Sequence, residues 1–277
     1  MNKRILFIGS NSFIAKNVIK VLSEYKYKII KIPRQSVDLE KNNSITKLSK
    51  LIKDNDRIFF AAGRVPAKNK NMMLRNIKMI KNFSKAITNK KINHFYYLSS
   101  DAVYSDSMKR INEKSKTAPD NFHGLMHLKR ESYIKKYFCN TKLTIFRPTL
   151  VFGEDDPHNG YGPNKFLRLA KHNKDIELFG LGEERRDHIY VKDLSQLICK
   201  CINKNLVGEY NLVTGRLYTF MGIAKIIQTK YKNLNIITSI RKGKMPHNGY
   251  RAFNNNKLNL ISKDFKFKSI ENWVKSL

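Results

Sequence analysis

With three cysteines, no long apolar run and few acidic residues, this 277-residue chain excludes several classes of protein at once. Cys139, Cys199 and Cys201 are too few and too poorly spaced for a disulfide framework or a zinc site. Cys199 and Cys201 sit in an apolar helical pattern, which predicts buried structural thiols. No stretch approaches the roughly 18 apolar residues of a membrane span. The opening MNKRILFIGS holds only the short run Ile5–Ile8, which reads as a first strand rather than a secretory leader. A cytoplasmic protein with no membrane partner is expected. Asp and Glu number 22 against 54 Lys and Arg, a net charge of +32. Such a charge favours anionic partners. The lysines, however, are spread over the whole chain among Asn and Ile, with no basic tail and no nucleic-acid motif. Nucleic acid is therefore not expected as a partner.

What is present is the alternation of strands and helices. Arg4–Ile8 is an apolar strand, and Gly9-Ser10-Asn11-Ser12-Phe13-Ile14-Ala15 turns from it into a helix reaching about Tyr25. A strand, a tight glycine turn and a helix N-terminus together cradle a phosphate. The pattern is G-x-x-S-x-x-A rather than three glycines. Gly9, Ser12, Phe13, Ile14 and Ala15 are its cofactor-binding candidates. Further strands are expected at Lys28–Ile32, Arg57–Ala61, His94–Ser99, Leu143–Arg147, Ile176–Phe179 and Tyr210–Val213. Helices are expected at about Lys70–Asn89, Leu194–Ile202 and Phe220–Lys230, with an amphipathic segment around Trp273. Residues 152–166, rich in Gly, Pro, Asp and Asn, read as a long functional loop. The alternation predicts an α/β fold with a doubly wound parallel sheet.

Past the second strand, an acidic residue would meet an adenosine ribose and favour NAD. Here Arg34 stands in that place and can pair with a 2′-phosphate, which favours NADP; NAD stays open. Asp38 is expected near the adenine. Ala61, Ala62 and Gly63 at the third strand's end allow close backbone contact with a cofactor.

The densest chemistry runs from Ser99 to Glu131. Ser100 precedes Tyr104 by four residues. His123, His127 and Glu131 recur every four residues on one helix face. His123 and His127 have metal-ligand spacing but lack an evident third ligand, although His158 and His188 lie in segments that could approach; no metal is expected.

The ordered motifs resemble the extended short-chain dehydrogenase/reductase superfamily, in its NAD-dependent epimerase/dehydratase branch acting on nucleotide sugars. The likeness rests on the Gly9 turn, Ala61-Ala62-Gly63, Asn76, Ser99-Ser100…Val103-Tyr104, Glu113, Glu131, Arg147-Pro148, the block from Arg186 to Asp193, and Asn211–Gly215. It covers nearly the whole chain. The family's usual catalytic set is Ser or Thr with Tyr-x-x-x-Lys. Ser100 matches the first member, whereas His123 stands where Tyr is expected and His127 where Lys is expected. The resemblance implies a Rossmann-type domain over 1–150 with about 190–213. A small substrate-binding lobe is implied over 151–189 and 214–277. It also implies that Asn76, Ser99 and His127 meet the cofactor. Tyr104, Asn164, Lys165, Phe179, Arg186 and Arg251 are expected to meet a nucleotide-diphosphate sugar. Imidazole titrates near neutrality unaided, so His123 can serve as acid/base with Ser100. Asp101 is a further candidate acid, and Ala102 in place of the usual Glu argues against a 4,6-dehydratase. The implied activity is NAD(P)-dependent epimerisation or 4-keto reduction in surface polysaccharide synthesis. A non-catalytic dinucleotide-binding relative is the alternative. Family members often pair as homodimers through the helices around Asn76 and His127.

Overall fold

The computed structural model describes residues 3–277. They divide into two compact units. The first runs up to Ser105 and adds Glu113–Pro148 and Ser195–Asn211; the second holds Asp106–Asn112, Thr149–Leu194 and Leu212–Leu277. The segment Asp106–Asn112 thus belongs to the second unit, which the sequence does not announce.

The first unit is built on a six-stranded sheet. Its strands are β1 (Arg4–Ile8), β2 (Lys28–Ile32), β3 (Arg57–Phe60), β4 (His94–Leu98), β5 (Lys142–Pro148) and β6 (Gly208–Leu212), in the order β6-β5-β4-β3-β1-β2. β1 pairs in parallel with both β2 and β3, and β3–β4 and β4–β5 are also parallel. β1 and β3 to β5 are near-continuous apolar runs because both sheet faces are covered. Phe7, Phe59, Phe60, Phe95, Tyr96, Tyr97 and Phe146 are fully buried. The helices of this unit are α1 (Phe13–Leu22), α2 (Ser44–Leu51), α3 (Lys70–Ala86) and α4 (Phe122–Tyr137). Asparagines at 69 and 121 cap α3 and α4, each side chain accepting a backbone N–H of the first turn. Strand order reverses between β1 and β3, which opens a crevice at their carboxyl ends.

The second unit is a set of short strand pairs and helices. Leu150–Phe152 pairs with His188–Tyr190, and Ile176–Phe179 pairs with Ile236–Ser239, both in parallel. Arg185–Arg186 lies between Tyr218–Thr219 and Tyr250–Arg251. A helix starts at Pro163, inside the expected loop of 152–166, because Pro fits the first helical turn. Trp273, 1% exposed, packs on the Phe152 ring and donates from Nε1 to Glu154 at 3.3 Å. Cys199 and Cys201 are buried thiols, while Cys139 is exposed.

Candidate functional site

The crevice of the first unit is a cavity of about 170 Å³. Gly9, Asn11 and Ser12 line it from the first turn, Arg34 and Asp38 from beyond β2, and Ala61 to Arg64 from the end of β3. Gly9 is required there on two grounds. Its φ is +81°, and a Cβ would stand 2.7 Å from the backbone of Ala62. Ser12 caps α1, its Oγ accepting from the Ala15 N–H at 3.3 Å. Phe13 and Ala15 are buried in the helix's first turn. Neither Phe13, Ile14 nor Ala15 lines the cavity.

Charge at the outer end of the cavity is arranged around Glu40. Its carboxylate pairs with Arg75 at 2.6 Å, with Arg34 at 3.4 Å, and with Arg64. Burial opposes ionisation of Glu40, but hydrogen bonds from Arg64 and Arg75 prevail and hold its pKa below the usual range. Arg34 also meets Asp38 at 3.4 Å and keeps half of its side chain in solvent. Three guanidinium groups on one shared carboxylate leave this end cationic. Sequence reasoning picked out Arg34 and missed Arg64 and Glu40, although Arg64 directly follows Gly63.

Two expected cofactor contacts are buried. Asn76 is fully buried and grips the backbone of Arg64: its Oδ1 accepts from Arg64 N–H at 2.8 Å and its Nδ2 donates to Arg64 C=O at 3.0 Å. It thereby shapes the β3 loop. The Ser99 hydroxyl, also buried, donates to Glu131 at 2.6 Å. Glu131 in turn takes Arg147 at 2.6 Å in a buried ion pair. Tyr104 is buried too. It is 2% exposed, donates to Asn211 at 2.7 Å and accepts from Arg147 at 2.9 Å. It braces the fold.

The remaining catalytic candidates cluster at the start of α4 and the turn after β4. Ser100 caps the short 3-10 turn Asp101–Val103, accepting from Ala102 N–H at 3.2 Å and donating to Asp101 at 3.3 Å. The half-buried ring of His123 is 4.8 Å from that of His127, edge to face. Burial lowers the pKa of His123 and Asp101 partly offsets this. His127 is held further down by burial, by His123 and by Arg130. Both rings are therefore neutral at pH 7. The Ala67 N–H points at Nδ1 of His123 at 3.5 Å, so the neutral ring carries its proton on Nε2. His127 meets the Tyr97 hydroxyl at 2.9 Å. Tyr97 was not singled out from the sequence; its place two residues before Ser99 on β4 was the available signal.

In the second unit, Arg186 is clamped by Glu184 at 2.7 Å and Arg251 by Asp106 at 3.5 Å. His247 sits between Arg251, at 3.0 Å, and Asp106, at 2.5 Å. Burial and the charges of Arg186 and Arg251 lower its pKa against the pull of Asp106. His247 was missed; its spacing four residues before Arg251 was the signal. Phe179 stays half-exposed beside the Tyr161 ring at 5.2 Å, and Lys165 lies over Tyr161 at 5.8 Å. Asn164 is buried. Its side chain accepts from Gly153 N–H at 3.1 Å and donates to Asp156 at 2.7 Å, so it is consumed in pinning the loop. No group of three or more His, Cys, Asp or Glu among the described residues could hold a metal ion.

The model of the NAD dependent epimerase/dehydratase family matches residues 5–213. This chain belongs to that family. Over 149 residues, 52% of the chain, it is 27% identical to the dTDP-D-glucose 4,6-dehydratase of Bos taurus. That match spans 42% of the relative's length. The fold is similar to that of Thermus thermophilus UDP-glucose 4-epimerase in complex with NAD, with TM-score 0.85, 18% identity and 98% of each chain covered. It is similar also to RMD from Pseudomonas aeruginosa complexed with NADPH, with TM-score 0.83 and 16% identity, over 99% and 97% of the two chains. Family membership gives the crevice its meaning. The glycine at position 9, the helix N-terminus and the small residues 61–63 fit a nicotinamide dinucleotide.

Proposed function

We propose that this family member is an NAD(P)-dependent nucleotide-sugar epimerase or 4-keto reductase, with NADP favoured over NAD. The observation that carries the reading is the cavity between β1 and β3, lined by Gly9, Ser12, Arg34, Asp38 and Ala61 to Arg64. The dinucleotide, when bound, supplies or takes the hydride at a sugar carbon. Gly9 and the first turn of α1 would hold its diphosphate. Arg34, with Arg64 beside it, would hold a 2′-phosphate by charge-assisted hydrogen bonds. His123 would hydrogen-bond the sugar oxygen through Nε2–H and stabilise the charge that develops there as hydride arrives. Ser100 would share that oxygen, and Asp101 stands beside the pair as a further acid. Arg186 and Arg251, with Phe179 and Lys165, are the candidates for the nucleoside diphosphate of the sugar.

Calorimetric titration of the purified, ligand-stripped protein with NADPH, NADP, NADH and NAD tests the reading. Micromolar binding, tighter for the phosphorylated pair, is the expected result. Preference for the unphosphorylated pair would remove Arg34 from its role, and no binding of any of the four would remove the function.

A further inference from the structure

Three segments of the first unit each bring a guanidinium to one carboxylate. Arg34 follows β2, Arg64 follows β3 and Arg75 lies on α3. Oε1 of Glu40 accepts from Arg64 Nε and faces Arg34 Nη2 at 3.4 Å. Oε2 accepts from Arg75 Nε at 2.6 Å. The Glu40 side chain is only 13% exposed, and its backbone N–H is held by Asp38 Oδ1 at 3.1 Å. The carboxylate is therefore a fixed anion. Its partners are less enclosed, the three arginines keeping between 30% and 52% of their side chains in solvent. Each also keeps at least one nitrogen without a hydrogen-bond partner among the described residues.

Arg34, Asp38 and Arg64 line the crevice, and so does Met79, one turn beyond Arg75 on the same face of α3. Glu40 and Arg75 do not line it and bear on it through Arg34 and Arg64. A phosphate arriving at Arg34 and Arg64 meets guanidinium groups already bound to a carboxylate. It gains their attraction and meets the repulsion of Glu40 at the same short range. A ribose hydroxyl in that place carries no charge and is nearly indifferent to both. The difference between the two is what the cluster sets.

We propose that Glu40 is a specificity-determining residue of this site. Its carboxylate competes with a 2′-phosphate for the guanidinium groups of Arg34 and Arg64, and so limits the preference for the phosphorylated dinucleotide. Arg75 acts in the opposite sense, neutralising Glu40 from the side of α3. The proposal rests on the dinucleotide reading given above. It adds to that reading the pair of residues, both outside the cavity wall, that decides how strongly the 2′-phosphate is chosen.

The test is the ratio of the dissociation constant of NADH to that of NADPH, measured by calorimetry on the whole protein, Glu40→Gln and Arg75→Met. Gln keeps an acceptor for Arg64 and removes only the charge. Glu40→Gln should tighten NADPH and leave NADH unchanged, raising the ratio on the order of tenfold, the size of one screened charge at short range. Arg75→Met should lower the ratio several-fold, again without moving NADH. A purely structural brace would weaken both dinucleotides in both variants and would not move the ratio in opposite directions. A ratio that is unchanged or lowered in Glu40→Gln would overturn the proposal, as would equal weakening of both dinucleotides. Should Glu40→Gln fail to fold, Arg75→Met decides alone, and an unchanged or raised ratio in it would overturn the proposal. A parent protein that prefers NADH would take Arg34 and Arg64 off the 2′-phosphate and end the proposal while keeping the dinucleotide. Failure of the parent to bind either form would remove the dinucleotide reading itself, and the proposal with it.

Discussion

The Tyr97 hydroxyl faces Nδ1 of His127 at 2.9 Å within the buried part of the first unit, and Arg130 lies over the Tyr97 ring. An ammonium in place of the imidazole would share this space with a guanidinium. The histidine at 127 and the arginine at 130 are therefore expected to be energetically coupled. His127→Lys should destabilise the protein, and Arg130→Met should relieve much of that loss. A double-mutant cycle by denaturant unfolding should give a coupling of roughly 1–3 kcal/mol. Additive effects would uncouple the two positions.

The approach of Gly9 to Ala62 sets the floor of the crevice. Gly9→Ala would strain a backbone at φ +81° and press a methyl group onto Ala62. A loss of about 2 kcal/mol or more is expected, with dinucleotide binding abolished. Thermal unfolding and calorimetry of the same variant check both.

Much of the first unit was legible in the sequence. β1 falls on Arg4–Ile8 and β2 on Lys28–Ile32, because each is a short apolar-rich run ending in turn residues. α2 was not legible: Ser44–Leu51 is mostly polar and buries only Ser44 and Leu48. Helix ends also moved, α1 stopping at Leu22 and α3 at Ala86. At the site, residue type was readable but direction was not. Tyr104, Ser99 and Asn76 at family positions, and Asn164 in the later loop, are polar residues, yet each spends its side chain inside the fold. Arg130 was unreadable for the opposite reason, since nothing in a lysine-rich and arginine-rich chain marks one cation as buried.

Arg34 is half in solvent, so its removal should cost little stability. Arg34→Ala should weaken NADP and NADPH by about tenfold or more, the value of a charge-assisted contact, and leave NAD and NADH unchanged. Equal loss for all four would assign Arg34 to the adenosine rather than to the phosphate.

Buried neutral histidines give the protein an acid limit. His94 is pushed down to about 4 and His188 to about 3, both chiefly by burial. The unfolded chain binds protons near pH 6.5 that these native rings refuse, so stability falls as pH drops below that value. The loss is at most ~1.4 kcal/mol per pH unit per ring and levels off for His94 near pH 4. His94→Gln should flatten the slope of unfolding free energy against pH between 6.5 and 4 by about one proton. An unchanged slope would mean that His94 does not contribute.

The central claim is hydride transfer at a sugar carbon with His123 on the sugar oxygen. The most direct measurement incubates the protein with NADPH or NADP and a panel of nucleotide sugars and nucleotide 4-keto sugars. Changes at the nicotinamide and in the mass or configuration of the sugar are followed together, for the parent protein and for His123→Ala. The account predicts turnover by the parent on at least one sugar, and its loss in His123→Ala with dinucleotide binding intact. Cofactor binding without turnover on any sugar would contradict it, and unchanged turnover in His123→Ala would take His123 out of the mechanism.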